Sequence, residues 1–293
     1  MFENCFELKE IDVSNFDTSK AKEIEGMFHN CYEIKKLDLS KFNTKNIKKL
    51  AFLFNSCSSL TSLDLSNFDT SNVEDMSFMF QYCENLVSLN IANFDTSNVE
   101  KMEYMFERCF RLTSVDISKF NTNSLMSMEY MFTYCYSLLY LDQTKFNTSK
   151  ITDMTSLFGT CQSLESLDLS SFDTSQVTSM SNMFGECKQL KYLDISTFNT
   201  SLVKNMAGMF YACESLTSLN LSHFDTKNVL DLSSMFSYCT SLSSINLESF
   251  NTSLVSNMAL MFSNDYNLES LDISKFDLQN CDFFQLMFEG CYN

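Results

Sequence analysis

The sequence predicts an α/β solenoid: eleven 26-residue turns and the first residues of a twelfth, with a parallel sheet on one face and helices on the other. Three observations carry this reading. The octapeptide NFDTSNVE stands at residues 67–74 and again, letter for letter, at 93–100. In a 26-residue frame starting at Met1, Phe occupies position 2 in all twelve frames and position 16 in all eleven, with no insertion or deletion. Within each turn the hydrophobic period switches from two to three-or-four, as strand and helix require.

The strand comes first. L-x-x-L-D-L-S, as in Leu60-Thr61-Ser62-Leu63-Asp64-Leu65-Ser66, ends in alternation and reads as a short half-buried strand. Stacked at roughly 4.8 Å, such strands would build a parallel sheet roughly 50 Å long. The loop follows with Phe at position 16 and then D-T-S, residue types that cap helix starts. Ser71-x-x-Glu74 and Ser97-x-x-Glu100 have the spacing of a complete capping box. The helix is read from Val73, Met76, Met79, Phe80, Cys83 and Leu86, apolar at steps of three and four. One such unit cannot bury its apolar face alone, so neighbouring turns must stack. The absence of Pro and the five Gly suggest a backbone that needs few special angles.

The columns of this frame, L-x-x-L-x-L-x-x-F followed by D-T-S and M-F-x-x-C, resemble the BspA-like leucine-rich repeats in their 26-residue form, known from bacterial and protist surface proteins including mycoplasma-type lipoproteins. The resemblance spans residues 1–293. It implies a right-handed leucine-rich-repeat solenoid, surface display, and a role in adhesion or partner binding. Phe stands where many leucine-rich repeats carry an asparagine ladder that bonds loop backbones. The neighbouring Asp/Asn and Thr columns are the candidates to replace it.

Composition sets further bounds. The unbroken repeat over residues 1–293 argues for a single domain, expected to be part of a longer protein, and 45% hydrophobic content suffices for a large core. No run of eighteen apolar residues occurs, so no membrane-spanning segment is expected. MFENCFELKE is ordinary repeat sequence rather than a signal peptide, and Met opens ten of the twelve frames, so Met1 need not be a start. A net charge of −17 disfavours nucleic acid and anionic membranes as partners and permits basic ones. The charge is uneven: residues 20–49 hold eight Lys against four acids, and residues 264–293 six acids against one Lys.

Position 12 is Asp in eight turns and Asn in three, at Asn90, Asn220 and Asn246. Lying between inward strand residues, it points outward. Asp38, Asp64, Asp116, Asp142, Asp168 and Asp194 therefore form a candidate acidic strip for a basic partner or cations, or else hydrogen-bond the Ser at position 14 and nearby amides, which Asn would do equally well. No calcium loop of the usual spacing occurs. Position 17 mixes Asp and Asn, which a turn or cap tolerates. Three of its Asn, Asn147, Asn199 and Asn251, are N-x-S sequons and possible glycosylation sites if the chain is secreted by a eukaryote, or a by-product of Asp/Asn drift beside T-S. Asn220 is a poorer match, in the strand column. The Thr column at position 18 is read as helix capping.

Position 5 is Cys in every turn but one, where Asp265 stands. Parallel side chains suit a disulfide poorly, so the column reads as buried thiols, and no C-x-x-C zinc pair exists. The Met columns read as core. His29 and His223 sit at different positions seven turns apart, and no nucleophile or phosphate-loop motif appears. The expectation is a non-enzymatic surface or extracellular repeat protein with no cofactor and no metal, binding a protein or glycan ligand through its repeated face. The alternative is a surface filament of solenoids stacked head to tail, drawn together by the basic start and acidic finish.

Overall fold

In the computed structural model, which describes residues 1–292, the strand segment is only two or three residues long. β1 (Ser62–Asp64) pairs in parallel with β2 (Ser88–Asn90), and β3 (Ser166–Leu167) with β4 (Tyr192–Leu193). The register equals the repeat, with Leu63 opposite Leu89 and Asp64 opposite Asn90. The strands stop early because the side chain at position 12 bends the chain: Asp64 Oδ1 accepts the Ser66 amide at 2.9 Å, an Asx-turn that competes with further pairing. The long sheet expected on this face is therefore reduced to two short pairs and a bridge between Ser244 and Ser270.

No helix forms among the described residues, which corrects the expectation of a helical face. The segment from Val73 to Leu86 is instead a run of tight turns. The amides of Val73, Met79, Gln81, Cys83 and Leu86 each bond the carbonyl three residues back. The alternate amides point along the stack: Met76, Phe78, Phe80 and Tyr82 donate to the carbonyls of Lys101, Glu103, Met105 and Glu107 in the next turn, at 2.9–3.0 Å. These inter-turn bonds satisfy donors that a helix would satisfy internally, so the backbone has no need to be helical. An apolar residue every third or fourth place serves such turns as well as it serves a helix. A parallel ladder accordingly runs on this side too, through Lys49, Asp75, Lys101 and Ser127, and separately through Asp153, Ser179, Asn205, Asp231, Asn257 and Phe283.

The turns need left-handed residues, two per repeat, against the expectation of an unstrained backbone. Positions 26 and 4 have φ between +51° and +75°, and most are not glycine: Phe52, Phe78, Tyr104 and Tyr130 in one column, Tyr82, Arg108 and Tyr134 in the other. An L-residue there costs about 1–2 kcal/mol, which the inter-turn bonds and ring stacking must offset.

The expected capping boxes are absent. Ser71 Oγ donates to Asp69 Oδ1 at 2.6 Å, and Glu74 pairs with Lys48 of the preceding turn at 2.6 Å. The Thr column does not cap helices either. It joins turns: Thr96 Oγ1 donates to the Asn121 carbonyl at 3.0 Å and accepts the Asn121 amide at 2.7 Å. The same pair of bonds links Thr70 to Asp95 and Thr226 to Asn251. Threonine thus takes the place of the missing asparagine ladder.

The stack divides into two units, Met1–Lys150 and Ile151–Asn293. Each has its own core of repeated columns. In the first, Phe2, Phe28, Phe54, Phe80, Phe106 and Phe132 stack ring on ring at 5.3–5.9 Å. In the second, Phe158 to Phe288 do the same at 5.6–6.1 Å. Each fully buried Phe contributes about 1.5–3 kcal/mol of transfer free energy. Apart from exposed Met1, the methionines of both columns are buried beside them, as expected from the pattern.

The Cys column is buried except at its two ends, where Cys5 and Cys291 are half-exposed, and every cysteine is free. Each thiol from Cys31 onward in the first unit donates to the position-2 carbonyl of the turn before, as Cys83 does to Phe54 at 3.2 Å. Burial pushes the Cys31 thiol up to about 11 and the Cys83 and Cys187 thiols up to about 12.

Candidate functional site

The position-12 side chains stand outward beside the short strands, exposed except for half-buried Asp142. Each is anchored by one oxygen. Oδ1 of Asp38 accepts the Ser40 amide at 3.0 Å, Asp168 that of Ser170 at 3.0 Å and Asp194 that of Ser196 at 3.0 Å. Asp116 and Asp142 also take the hydroxyl two residues on, from Ser118 at 2.7 Å and Thr144 at 2.6 Å. Asn246 makes the same bond to the Glu248 amide, so Oδ1 has a purely architectural task that Asn performs equally well.

The second oxygen distinguishes Asp from Asn. Oδ2 of Asp38, Asp64, Asp116, Asp142 and Asp194 takes no hydrogen bond among the described residues. The carboxylates of Asp38, Asp64, Asp116, Asp168 and Asp194 are held ionised. Hydrogen bonds from the serine hydroxyl and then its amide lower the carboxyls of Asp38, Asp116 and Asp168, while at Asp64 and Asp194 the amide comes first. Repulsion from Asp194 raises Asp168 only as the smallest of its causes. Local hydrogen bonding therefore outweighs the stacking of like charges. In the first unit Asn90 lowers that repulsion further, donating Nδ2 to Asp64 Oδ1 at 2.9 Å.

Exposed apolar side chains share this face. Leu139 and Tyr140 lie on it in the first unit, and Tyr192, 65% exposed, in the second. Tyr192, Asp168 and Asp194 line a cavity of about 240 Å³ together with Leu167 and Thr197. A wider hollow of about 580 Å³ follows in the same unit, where Lys275 bonds Glu248 at 3.1 Å beside Asn246 and Asp272.

The sequon asparagines lie at the corner after the strand. Their Oδ1 atoms accept the serine amide two residues on, at 3.1 Å for Asn147 and 3.0 Å for Asn199 and Asn251. Nδ2 of half-buried Asn147 is committed to Asn123 Oδ1 at 2.8 Å. Asn199 and Asn251 are exposed. Asn220 bonds Ser222 within its own bend.

The structure also brings together residues that column reading passed over. In the first unit Phe52, Phe78, Tyr104 and Tyr130 form a half-exposed ladder at 4.5–4.8 Å. Beside it the guanidinium of Arg108 lies between the rings of Tyr82 and Tyr134, at 5.2 and 4.5 Å. Its Nε is bound to buried Glu107 at 3.1 Å, and Glu107 accepts Gln81, which accepts Asn55, both at 2.6 Å. The cation is thus neutralised within the wall. A signal existed in the run of F, F, Y, Y down position 26. The lysine-rich first turns make a hollow of about 750 Å³ with Lys20, Lys22, Lys48 and Lys49, of which Lys48 is neutralised by Glu74. His29 meets Glu3 at 3.4 Å and His223 meets the Ile195 carbonyl at 2.9 Å, so each contacts the turn before its own. No helix is long and apolar enough to cross a membrane, and no group of three metal-ligating side chains occurs, among the described residues.

Among solved structures, the chain is similar to a leucine-rich repeat protein of T. pallidum, with 19% identity, a TM-score of 0.40, and coverage of 59% of this chain and 72% of that one. It is also similar to leucine-rich repeat proteins of Bacteroides ovatus (18% identity, TM-score 0.30, 76% and 75% covered) and Eubacterium ventriosum (15%, 0.39, 77% and 70%). No curated protein sequence matches it. The family described as "Mycoplasma protein of unknown function, DUF285" matches at residues 1–90, 62–140, 135–220 and 215–293. These matches run the length of the repeat, in keeping with the Mycoplasma-type, BspA-like resemblance of its columns, and the chain belongs to that family.

Proposed function

We propose that this repeat protein is a non-enzymatic, surface or extracellular binding module, and that the position-12 aspartates of each unit receive a basic segment of a protein partner. The observation that supports this is the division of labour within each carboxylate: Oδ1 anchors the bend, while the outward Oδ2 of Asp38, Asp64 and Asp194 is ionised and unoccupied. Tyr192 and Tyr140 supply apolar contact on the same faces. Aromatic side chains flanked by fixed charges give a partner both area and register. Surface display rests on the family resemblance.

The test uses Asp→Asn at Asp38, Asp64, Asp168 and Asp194, because Asn keeps the bend and removes the charge. Binding to basic host-matrix proteins or cells should weaken, and its salt dependence should flatten. Unchanged binding with unchanged salt dependence rejects the reading. Head-to-tail assembly is supported separately by the lysine excess of residues 20–49 and the acid excess of 264–293. It requires particle mass to grow with concentration at low salt and to collapse at high salt.

A further inference from the structure

Asp265 is the one member of its column that is neither a thiol nor at the surface; it is 1% exposed. In the turns before it, the column residue donates a hydrogen to the position-2 carbonyl of the preceding turn, as Cys213 does to Phe184 at 3.2 Å and Cys239 to Phe210 at 3.1 Å. The turn after it resumes the pattern, with Cys291 donating to Phe262 at 3.0 Å. At Asp265 the matching acceptor is the Phe236 carbonyl, which among the described residues receives the Cys239 amide alone, at 3.0 Å. Asp265 Oδ1 accepts that same Cys239 amide at 2.8 Å, and Oδ2 is buried without a hydrogen-bond partner among the described residues.

A carboxylate cannot fill the vacancy, because it has no hydrogen to give; a carboxylic acid can. We propose that Asp265 is a proton-binding switch in the second unit: as the neutral acid it takes over the thiol's task of bonding the turn before, and on losing its proton it loosens the turns around residues 236–291.

The surroundings favour the acid. The column neighbours are the Cys239 and Cys291 thiols, both pushed up first by burial, and Asp265 forms no ion pair among the described residues. The other titratable groups of the adjoining turns close to this column, Tyr238 and Glu289, are exposed. Burial raises the Asp265 carboxyl from 3.8 to about 8, against a smaller lowering by the Cys239 amide. Between these two values the folded chain holds a proton that the unfolded chain has lost, so stability falls as pH rises through that window. Below it both states are protonated, and above it both are ionised and the penalty is complete.

The experiment compares the wild-type chain with Asp265→Asn, whose amide can accept from Cys239 and donate to Phe236 at every pH. Urea unfolding of the second unit, followed by hydrogen exchange at residues 236–291, should show the wild-type unfolding constant rising toward tenfold per pH unit between about pH 5 and 7.5. Asp265→Asn should lack that slope. Difference infrared spectra of the two at about pH 6 should show the carbonyl stretch of a buried carboxylic acid in the wild type alone. Equal slopes in the two chains, or no such band, overturn the proposal. Should Asp265→Asn fail to fold, Asp265→Cys restores the column and must lack the slope in the same way. If neither variant folds, the acid band in the wild type and its loss on raising the pH through about 8 decide the question.

Discussion

The hydroxyl of Thr96 holds both backbone groups of Asn121, giving its hydrogen to the carbonyl at 3.0 Å and receiving the amide at 2.7 Å. One side chain therefore satisfies a donor and an acceptor in the next turn, from a position that is 0% exposed. Thr96→Val keeps the shape and leaves both groups unpaired. The expected loss is about 2–4 kcal/mol, read from urea unfolding of the first unit, with Thr96→Ser recovering most of it. A loss no larger than that of an exposed control such as Thr113→Val would show that the ladder contributes little.

The thiols make a kinetic prediction. Ten cysteines are buried and two, Cys5 and Cys291, are half-exposed. Because thiolate is the reactive form and burial suppresses it, a maleimide reagent should modify Cys5 and Cys291 in the native protein. The other ten should react only on unfolding. Mass spectrometry after a short pulse counts the adducts directly.

Acid stability has a definite direction. The lowered carboxyls of Asp38, Asp64, Asp116, Asp168 and Asp194 contribute stability that is present above their ordinary value of 3.8 and lost as pH falls through the depressed folded value. Replacing all five by Asn should lower stability slightly near neutrality and flatten the acid limb of the pH–stability curve. These side chains are exposed or nearly so, which makes the effect of each one small.

Left-handed positions give a fourth test. Ser234 has φ +54° and, among the described residues, its side chain makes no hydrogen bond. Ser234→Gly should stabilise the second unit by about 0.5–1 kcal/mol, the strain relieved exceeding the entropy added to the unfolded chain. The same change at Phe78 should destabilise, because its ring stacks on Phe52 at 4.5 Å and on Tyr104 at 4.8 Å.

The sequence displays the core well, and for a physical reason. A side chain buried between identical neighbours must be the same in every turn, so the Phe, Met, Cys and Leu columns repeat and can be read directly. The conformation between them is another matter. Val73, Met76, Met79 and Cys83 have helical spacing, yet the Phe78, Phe80 and Tyr82 amides between them bond the next turn. Single-sequence periodicity cannot see a bond made 25 residues away, and helix propensity is a weak prior against it. The left-handed residues were hidden similarly, since Phe52 and Tyr104 occupy places where glycine would have announced a turn. At the acidic face the placement of Asp38, Asp64, Asp116, Asp142, Asp168 and Asp194 was legible from alternation. The split between an anchoring and an outward oxygen needed coordinates.

The left-handed places at positions 26 and 4 have one more implication. Their conformation is set by the bonds between turns rather than by the residue that occupies them, and they accept Phe, Tyr, Arg, Ser, Glu, Leu and Asn alike. Each is in effect a socket, alike in backbone and filled by many kinds of side chain. A lineage of such chains can rewrite an entire wall, aromatic in one version and small and polar in another, without renegotiating the fold. Variation that would unfold most proteins becomes here a change of text on a fixed page.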